Sequence, residues 1–248
     1  MDAINTSLGS LQCHIVQPDS KSQPELAVVL CHGFGAPGTD LVPLAMELAR
    51  QQPELSSRVR FVFPEAPLAM PELGYSQARA WWRLDLERMA AAAYDPVARR
   101  RLQEETPEGL PRSRRLLTAL VNELSRQSGL PTSRIVLGGF SQGGMLATDV
   151  CLRLEEAPAG LVILSGTLIC ESEWRAKAPM RRGLPVLQTH GTSDPLLPFE
   201  RAEALRDLLE GAGLKVEFLS FDGGHTIPPE ALVRLGAFIA QRLRSARA

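Results

Sequence analysis

The chain has 248 residues, and its 27 basic and 28 acidic side chains give a formal net charge of −1. Apolar residues make up 44% and charged residues 22%, proportions that exclude disorder as the main state. A nucleic-acid-binding domain usually carries a basic surplus, which this composition lacks. No stretch approaches the ~20 consecutive apolar residues that span a bilayer, and residues 1–5 show no secretory signal pattern.

Short apolar runs alternate with longer helical patterns along the chain, which predicts an α/β fold with a mostly parallel central sheet and helices on both faces. The predicted parallel strands are 26–31, 59–63, 134–138, 161–164, 185–189 and 216–219, with an antiparallel edge strand at 11–17. The predicted helices are 39–52, 111–128, 142–155, 199–211 and 228–244. We expect a single domain over residues 1–248.

The stretch 65–110 interrupts this alternation with several prolines, two adjacent tryptophans and a basic cluster. A connection of this length predicts either a lid over a binding site or an insertion that only covers the sheet. Trp81 and Trp82 are accordingly predicted either to line an acyl pocket, and so to bind substrate, or to belong to the core. Arg99–Arg101 is predicted to be a solvated helical face, with contact to an anionic substrate as the alternative.

The most informative local pattern is GFSQGG at 139–144, which contains G-x-S-x-G between a predicted strand and a predicted helix. This context is typical of a nucleophile elbow, in which a serine occupies a sharp, strained turn and its neighbours must be small. The sequence therefore predicts Ser141 as a nucleophile, and the alternative is a glycine-rich turn without chemistry.

A serine hydroxyl needs a general base, and His225 follows the last predicted strand in a Gly-Gly-His turn. The chain order Ser…Asp…His is that of an α/β-hydrolase. Two carboxylates compete to orient the imidazole: Asp194, after the strand at 185–189, and Asp222, three residues before His225. We favour Asp194 because it comes from its own strand end and can approach the ring from the side opposite Ser141.

Acyl transfer also requires hydrogen-bond donors for the developing oxyanion. The backbone N–H of Gln142, the residue after the nucleophile, is predicted to be one of them. The glycine-rich loop at 32–40 should provide the other, from Phe34 or else from Gly33. Because this loop shows neither GxGxxG nor a Walker lysine, the pattern argues against a phosphate-binding loop.

The remaining histidines and the cysteines receive structural predictions. His32 and His190 each precede a glycine at a strand end and should shape the adjoining loops, whereas His14 has no predicted role. No metal is predicted, because the cysteines show neither CxxC spacing nor histidine neighbours at metal-ligand spacing. We predict that all four cysteines are reduced, which fits a cytoplasmic protein: Cys13, Cys31, Cys151 and Cys170.

Taken together and in this order, these motifs resemble the phospholipase/carboxylesterase family, the group of α/β-hydrolases that includes acyl-protein thioesterases and small bacterial carboxylesterases. The resemblance covers nearly the whole chain and rests on GGFSQGG at 138–144, HGFG at 32–35, the tryptophan pair, HGTSDP at 190–195 and GGH at 223–225. It implies an α/β-hydrolase fold and a cofactor-free serine esterase. It also implies a triad and two oxyanion-hole amides, at Ser141, Asp194 and His225 and at Phe34 and Gln142.

Three functions are consistent with these patterns. The first is a serine carboxylesterase that hydrolyses carboxylic esters of short to medium acyl chains through an acyl-enzyme intermediate. The second is an acyl-protein thioesterase or lysophospholipase with the same triad, for which an acylated protein could be the partner. The third is a catalytically silent binding module on the hydrolase fold.

Overall fold

The computed structural model describes residues 1–18, 23–85 and 95–245. Its strands are β1 (Asp2–Leu8), β2 (Leu11–Gln17), β3 (Leu26–Cys31), β4 (Val59–Pro64), β5 (Leu68–Ala69), β6 (Arg79–Ala80), β7 (Ile135–Phe140), β8 (Gly160–Leu164), β9 (Pro185–Gly191) and β10 (Lys215–Phe221). Eight of them form one sheet in the order β1-β2-β4-β3-β7-β8-β9-β10, and β5 pairs with β6 in a separate hairpin. From β4 to β10 all neighbours in the sheet are parallel, whereas β1 and β2 are antiparallel.

Helices cover both faces of the sheet. They are α1 (Pro43–Gln51), α2 (Leu55–Arg58), α3 (Pro96–Glu104), α4 (Leu110–Ser128), α5 (Gln142–Cys151), α6 (Glu171–Lys177), α7 (Phe199–Gly211) and α8 (Pro229–Arg244), with 3-10 turns at Pro71–Leu73, Thr132–Arg134 and Ala178–Arg181. One apolar cluster packs α4, α5, α6 and α7 against the sheet, and a second packs α1, α2 and α8 against the opposite face. This arrangement confirms the predicted α/β architecture.

The central strands follow from their composition. Every residue of β3 is buried, because β3 lies between β4 and β7 and is covered by helices on both faces. A strand in this position must be apolar on both sides, which is why a continuous apolar run predicted it. The predicted antiparallel strand at 11–17 is confirmed as β2, but its predicted place at the edge of the sheet is wrong, because β1 pairs along its outer side.

Some boundaries differ from the predictions for local reasons. The first helix begins at Pro43 rather than at residue 39, because proline occupies its first turn and residues 39–42 form tight turns instead. The helix predicted over 142–155 ends at Cys151. The backbone N–H of Arg153 then donates to the Val150 carbonyl at 2.9 Å, which closes a turn tighter than that of an α-helix. The strand predicted from residue 134 begins at Ile135, after a 3-10 turn.

The excursion 65–110 contains the β5–β6 hairpin and α3, and its residues 86–94 lie outside the described ranges. Hydrogen bonds connect the excursion to the rest of the molecule on either side of this gap. Ser113 Oγ donates to the Trp81 carbonyl at 2.5 Å, and Thr106 Oγ1 donates to Glu173 Oε1 at 2.6 Å. Arg100 and Arg101 are exposed on α3, as predicted for a solvated face. Whether the segment acts as a lid stays a prediction.

No helix in the described ranges combines the length and the apolarity that crossing a bilayer requires.

Candidate active site

Ser141 lies at the carboxyl end of the central sheet, between β7 and α5. Its backbone has φ +53° and ψ −120°, a strained conformation for a residue with a Cβ, and its N–H donates to the Leu164 carbonyl at 2.8 Å. The glycines of the motif are required by close packing. A Cβ on Gly139 would lie 2.5 Å from the Cys31 carbonyl oxygen, and one on Gly143 would lie 2.6 Å from that of His32. The turn has the geometry expected of a nucleophile elbow.

The loop after β3 lies directly against this turn. A Cβ added to Gly33 would stand 3.5 Å from Ser141 Cβ and 3.1 Å from the Phe140 ring. The backbone N–H of Gly35 donates to the Arg79 carbonyl at 2.8 Å, and the backbone N–H of Arg79 donates to the Ala36 carbonyl at 3.2 Å. The hairpin β5–β6 therefore holds the predicted oxyanion loop from outside.

His32 holds the same loop from inside. Its Nε2 accepts the Ala66 N–H at 3.1 Å, so the ring proton is on Nδ1, which donates to the Gly33 carbonyl at 2.8 Å. Burial lowers the pKa of His32 to about 4, which keeps the ring neutral at physiological pH. Because the Gly33 carbonyl and the Phe34 N–H belong to one planar peptide, this bond also fixes the direction of the Phe34 donor.

The side chain of Gln142 connects the serine turn to the tryptophan pair. Its buried side chain accepts the Trp81 N–H at 2.9 Å and donates to the Trp82 carbonyl at 2.9 Å. Trp81 in turn donates its indole N–H to the His32 carbonyl at 2.9 Å. Both tryptophans are only 1% exposed and belong to the core cluster. Their contact with a substrate stays a prediction.

Asp194 and His225 form a direct pair on adjacent loops. His225 Nδ1 lies 2.6 Å from Asp194 Oδ2, and the other carboxylate oxygen accepts the N–H groups of Leu196 and Leu197, each at 2.9 Å. Burial opposes ionisation of Asp194, but the bonds from His225 and from these amides outweigh it and lower the pKa of the carboxyl. The ionised carboxylate accepts a hydrogen bond from Nδ1–H, and in this tautomer Nε2 carries a lone pair that can accept a proton.

The two loops are joined through their backbones. They follow the neighbouring strands β9 and β10, whose registers pair Gly191 with Phe221. The N–H of Ser193 donates to the Gly223 carbonyl at 3.0 Å, and a Cβ on Gly191 would lie 2.9 Å from the carbonyl carbon of Gly223. The absence of a side chain at Gly191 thus allows the loop that carries His225 to pack on the loop that carries Asp194.

Asp222, the competing carboxylate, and Asp149, on α5 behind the serine turn, are held differently. Asp222 is exposed, although it lies on the same loop as His225. Asp149, on α5, is fully buried and accepts hydrogen bonds from Arg114, Arg153 and Trp174. Asp149 therefore joins helices on one face of the sheet.

One contact was not anticipated from the sequence. The Phe140 ring packs against the His225 imidazole, with ring centroids 4.8 Å apart. Phe140 occupies the variable position before the serine of G-x-S-x-G, so the motif itself carries no signal for this contact. It places the imidazole against the residue that immediately precedes Ser141.

The other predicted groups are structural. His190 is buried and donates from Nε2 to the Leu197 carbonyl at 2.8 Å, which shapes the Asp194 loop as predicted. His14 Nδ1 lies 2.8 Å from Asn5 Oδ1, and His14 Nε2 lies 2.9 Å from Glu65 Oε1. All four cysteines are buried free thiols. Within the described ranges, no group of three or more His, Cys, Asp or Glu side chains is arranged to hold a metal ion.

A mostly parallel sheet of this order, with a strained serine turn after a central strand and an Asp–His pair after the last two strands, defines the class of the protein as an α/β-hydrolase. The sequence profile of the phospholipase/carboxylesterase family matches residues 11–243. The chain therefore belongs to this family, and it is a hydrolase.

Individual relatives agree with this assignment. Acyl-protein thioesterase 1 of Eremothecium gossypii is 33% identical over 229 residues, covering 90% of this chain and 91% of the relative. Acyl-protein thioesterase 1 of Gibberella zeae is 29% identical over 226 residues, covering 90% and 92%. Among solved structures, the esterase PE8 superposes with a TM-score of 0.76 at 27% identity, covering 97% of this chain and 99% of PE8.

Proposed function

We propose that this protein hydrolyses carboxylic esters of short to medium acyl chains, with Ser141 as nucleophile, His225 as general base and Asp194 as its orienting carboxylate. The observation that carries the proposal is the 2.6 Å bond between His225 Nδ1 and the ionised Asp194, on the loops that follow the last two strands. That bond selects the tautomer whose Nε2 can accept a hydroxyl proton.

In the acylation step, Ser141 Oγ attacks the acyl carbonyl carbon while His225 Nε2 takes the hydroxyl proton. The carbonyl oxygen becomes negatively charged, and the backbone N–H groups of Gln142 and Phe34 would stabilise it. His225 then protonates the leaving alcohol or thiol. Water repeats the sequence on the acyl-enzyme, which releases the acid and restores Ser141.

The two backbone donors are held before the substrate arrives, which favours catalysis. Gln142 is fixed through its side chain to the Trp81–Trp82 backbone, and Phe34 belongs to the peptide that His32 orients. Donors that need no rearrangement stabilise the transition state more than flexible ones do.

A thioester substrate is the second candidate, because the relatives that are 29% and 33% identical over most of the chain are named acyl-protein thioesterases. Loss of a thiol or an alcohol uses the same residues, so the geometry supports both. A series of p-nitrophenyl esters and acyl-thioesters of increasing chain length, together with an acylated peptide, would distinguish the small-ester enzyme from the protein thioesterase.

Replacement of the nucleophile tests the proposal directly. We expect Ser141→Ala to lower kcat for p-nitrophenyl butyrate by on the order of 10³-fold or more, with an unchanged circular dichroism spectrum. Ser220→Ala, at an exposed position on β10, is the control and should keep full activity. A fluorophosphonate should label the wild type at Ser141. Near-parental turnover by Ser141→Ala, or failure of the probe to label the wild type, would remove the proposal.

A further inference from the structure

A second strained serine lies beside the candidate active site. Ser165 directly follows β8, is fully buried and has φ +49°, a left-handed backbone that residues with a Cβ seldom adopt. Ser141, with φ +53°, has the same kind of strain at the end of the neighbouring strand β7. Strain of this kind persists only where surrounding contacts enforce it, which makes those contacts informative.

The contacts of Ser165 join the loops of the candidate site. Its N–H donates to the Thr189 carbonyl on β9 at 2.8 Å, and its Oγ–H donates to the Thr226 carbonyl at 3.1 Å. The carbonyl of the preceding residue, Leu164, accepts the Ser141 N–H at 2.8 Å. One dipeptide thus contacts the nucleophile turn and the residue immediately after His225.

The hydroxyl is the part of Ser165 that bonds to the loop carrying His225. Thr226 itself is exposed, so its carbonyl bond to Ser165 ties an outer loop to a buried strand end. Glycine would adopt the same φ without strain but could not donate this bond. The geometry therefore points to a role for the side chain rather than for the backbone shape alone.

We infer that Ser165 is a positioning residue: it holds the Thr226 carbonyl and thereby fixes the loop that presents His225 to Asp194 and to the Ser141 turn. The inference rests on the proposed function, because it assigns the effect of Ser165 to His225. In this role Ser165 itself contacts no reacting atom. Small displacements of a catalytic group reduce the rate steeply, since proton transfer requires hydrogen-bond reach.

The test compares Ser165→Ala with Ser125→Ala. Ser125 also donates a hydroxyl bond to a loop carbonyl, that of Leu130 at 2.7 Å, but it lies on α4, and this bond joins α4 to the turn that follows it rather than to a loop of the candidate site. We expect Ser165→Ala to lower kcat for p-nitrophenyl butyrate about 10- to 100-fold with little change in KM. Ser125→Ala should leave both constants unchanged. Ser165→Gly, which removes the hydroxyl and also relieves the strain, should lose kcat at least as strongly as Ser165→Ala.

Two further measurements separate positioning from a loss of folding. The acidic limb of the kcat/KM profile should move to lower pH in Ser165→Ala, because a looser bond to Asp194 stabilises the imidazolium less. The proton NMR signal of His225 Nδ1–H, bonded to Asp194, should shift or broaden in Ser165→Ala and stay unchanged in Ser125→Ala. This signal is observable without turnover.

Parental kcat in folded Ser165→Ala would overturn the inference. A kcat loss that only matches the loss of folded protein, with an unmoved pH limb and NMR signal, would also overturn it. An inactive wild type, or an active Ser141→Ala, would instead refute the proposed function, and the NMR comparison would still report whether Ser165 holds the His225 loop.

Discussion

The two carboxylates near His225 differ in how they are held, and this difference decides which one can orient the imidazole. Asp194 is buried, bonded to His225 Nδ1 at 2.6 Å and supported by two backbone N–H groups. Asp222 is exposed on the base loop. A carboxylate that selects a tautomer must be fixed relative to the ring, and Asp194 meets this condition.

We therefore expect Asp194→Asn to lower kcat by on the order of 10³- to 10⁴-fold, because an amide favours the wrong imidazole tautomer. Asp222→Asn is the matched substitution on the neighbouring loop and should retain activity close to that of the wild type. Steady-state hydrolysis of p-nitrophenyl butyrate measures both. A larger loss in Asp222→Asn than in Asp194→Asn would assign the acid to Asp222.

At the scale of residues, the sequence predicted the groups that local motifs mark and missed those that act through distant partners. His225 and Asp194 follow strands in recognisable turns, so their types and positions could be read directly. The bond from Ser165 to Thr226 joins residues 61 positions apart, and the tautomer of His32 depends on Ala66. Such contacts are set by packing of the whole sheet, which no local pattern records.

At the scale of elements, α5 begins so close to β3 that its second residue cannot carry a side chain. A Cβ on Gly143 would lie 2.5 Å from the Cys31 carbonyl carbon and 2.6 Å from the His32 carbonyl oxygen. These are backbone atoms of a central strand and of the predicted oxyanion loop that follows it, so they cannot move aside as a flexible side chain would. The packing of α5 on β3 therefore couples folding to the geometry of the donors.

We expect Gly143→Ala to lower the free energy of unfolding by about 1–3 kcal/mol or more, because overpacking displaces the backbone. It should also lower kcat in the fraction that remains folded. Gly211→Ala, at the end of α7, is the control, since a Cβ there meets nothing within 4 Å and alanine favours a helix. Urea denaturation measures both variants. Equal stability of Gly143→Ala and wild type would show that α5 can shift without cost.

Elements were predictable where burial imposes a pattern. The bounds of β3 agree with the apolar run because all six residues are buried. β1 was not predicted, because most of its residues are exposed and its place is set by pairing with β2. The two-residue strands β5 and β6 are too short to show a period, yet β6 bonds to the predicted oxyanion loop through the backbone of Arg79.

At the scale of the whole molecule, buried neutral histidines connect the candidate site to the pH dependence of folding. Burial lowers the pKa of His32 to about 4 and also lowers that of His190, against about 6.5 for an unfolded histidine. Below pH 6.5 the unfolded chain binds protons that the folded chain excludes. The free energy of unfolding therefore falls as pH falls from about 6.5 to about 4. Asp194 affects stability at lower pH. Its contribution to the free energy of unfolding is present above the pKa of an unfolded aspartate and is lost as pH falls through its lowered pKa in the folded protein.

This linkage predicts that the wild type loses stability between pH 7 and pH 4.5, with His32 contributing about 2–3 kcal/mol of the loss. His32→Asn removes the titrating ring while keeping a donor near Nδ1, so this variant should be less stable at pH 7 yet lose less stability on acidification. Ser141→Ala retains every histidine and should follow the wild-type slope. Urea midpoints at the two pH values measure the difference. If His32→Asn and wild type lose the same amount, the fold does not hold the His32 ring neutral, and its Nε2 cannot be accepting the Ala66 N–H.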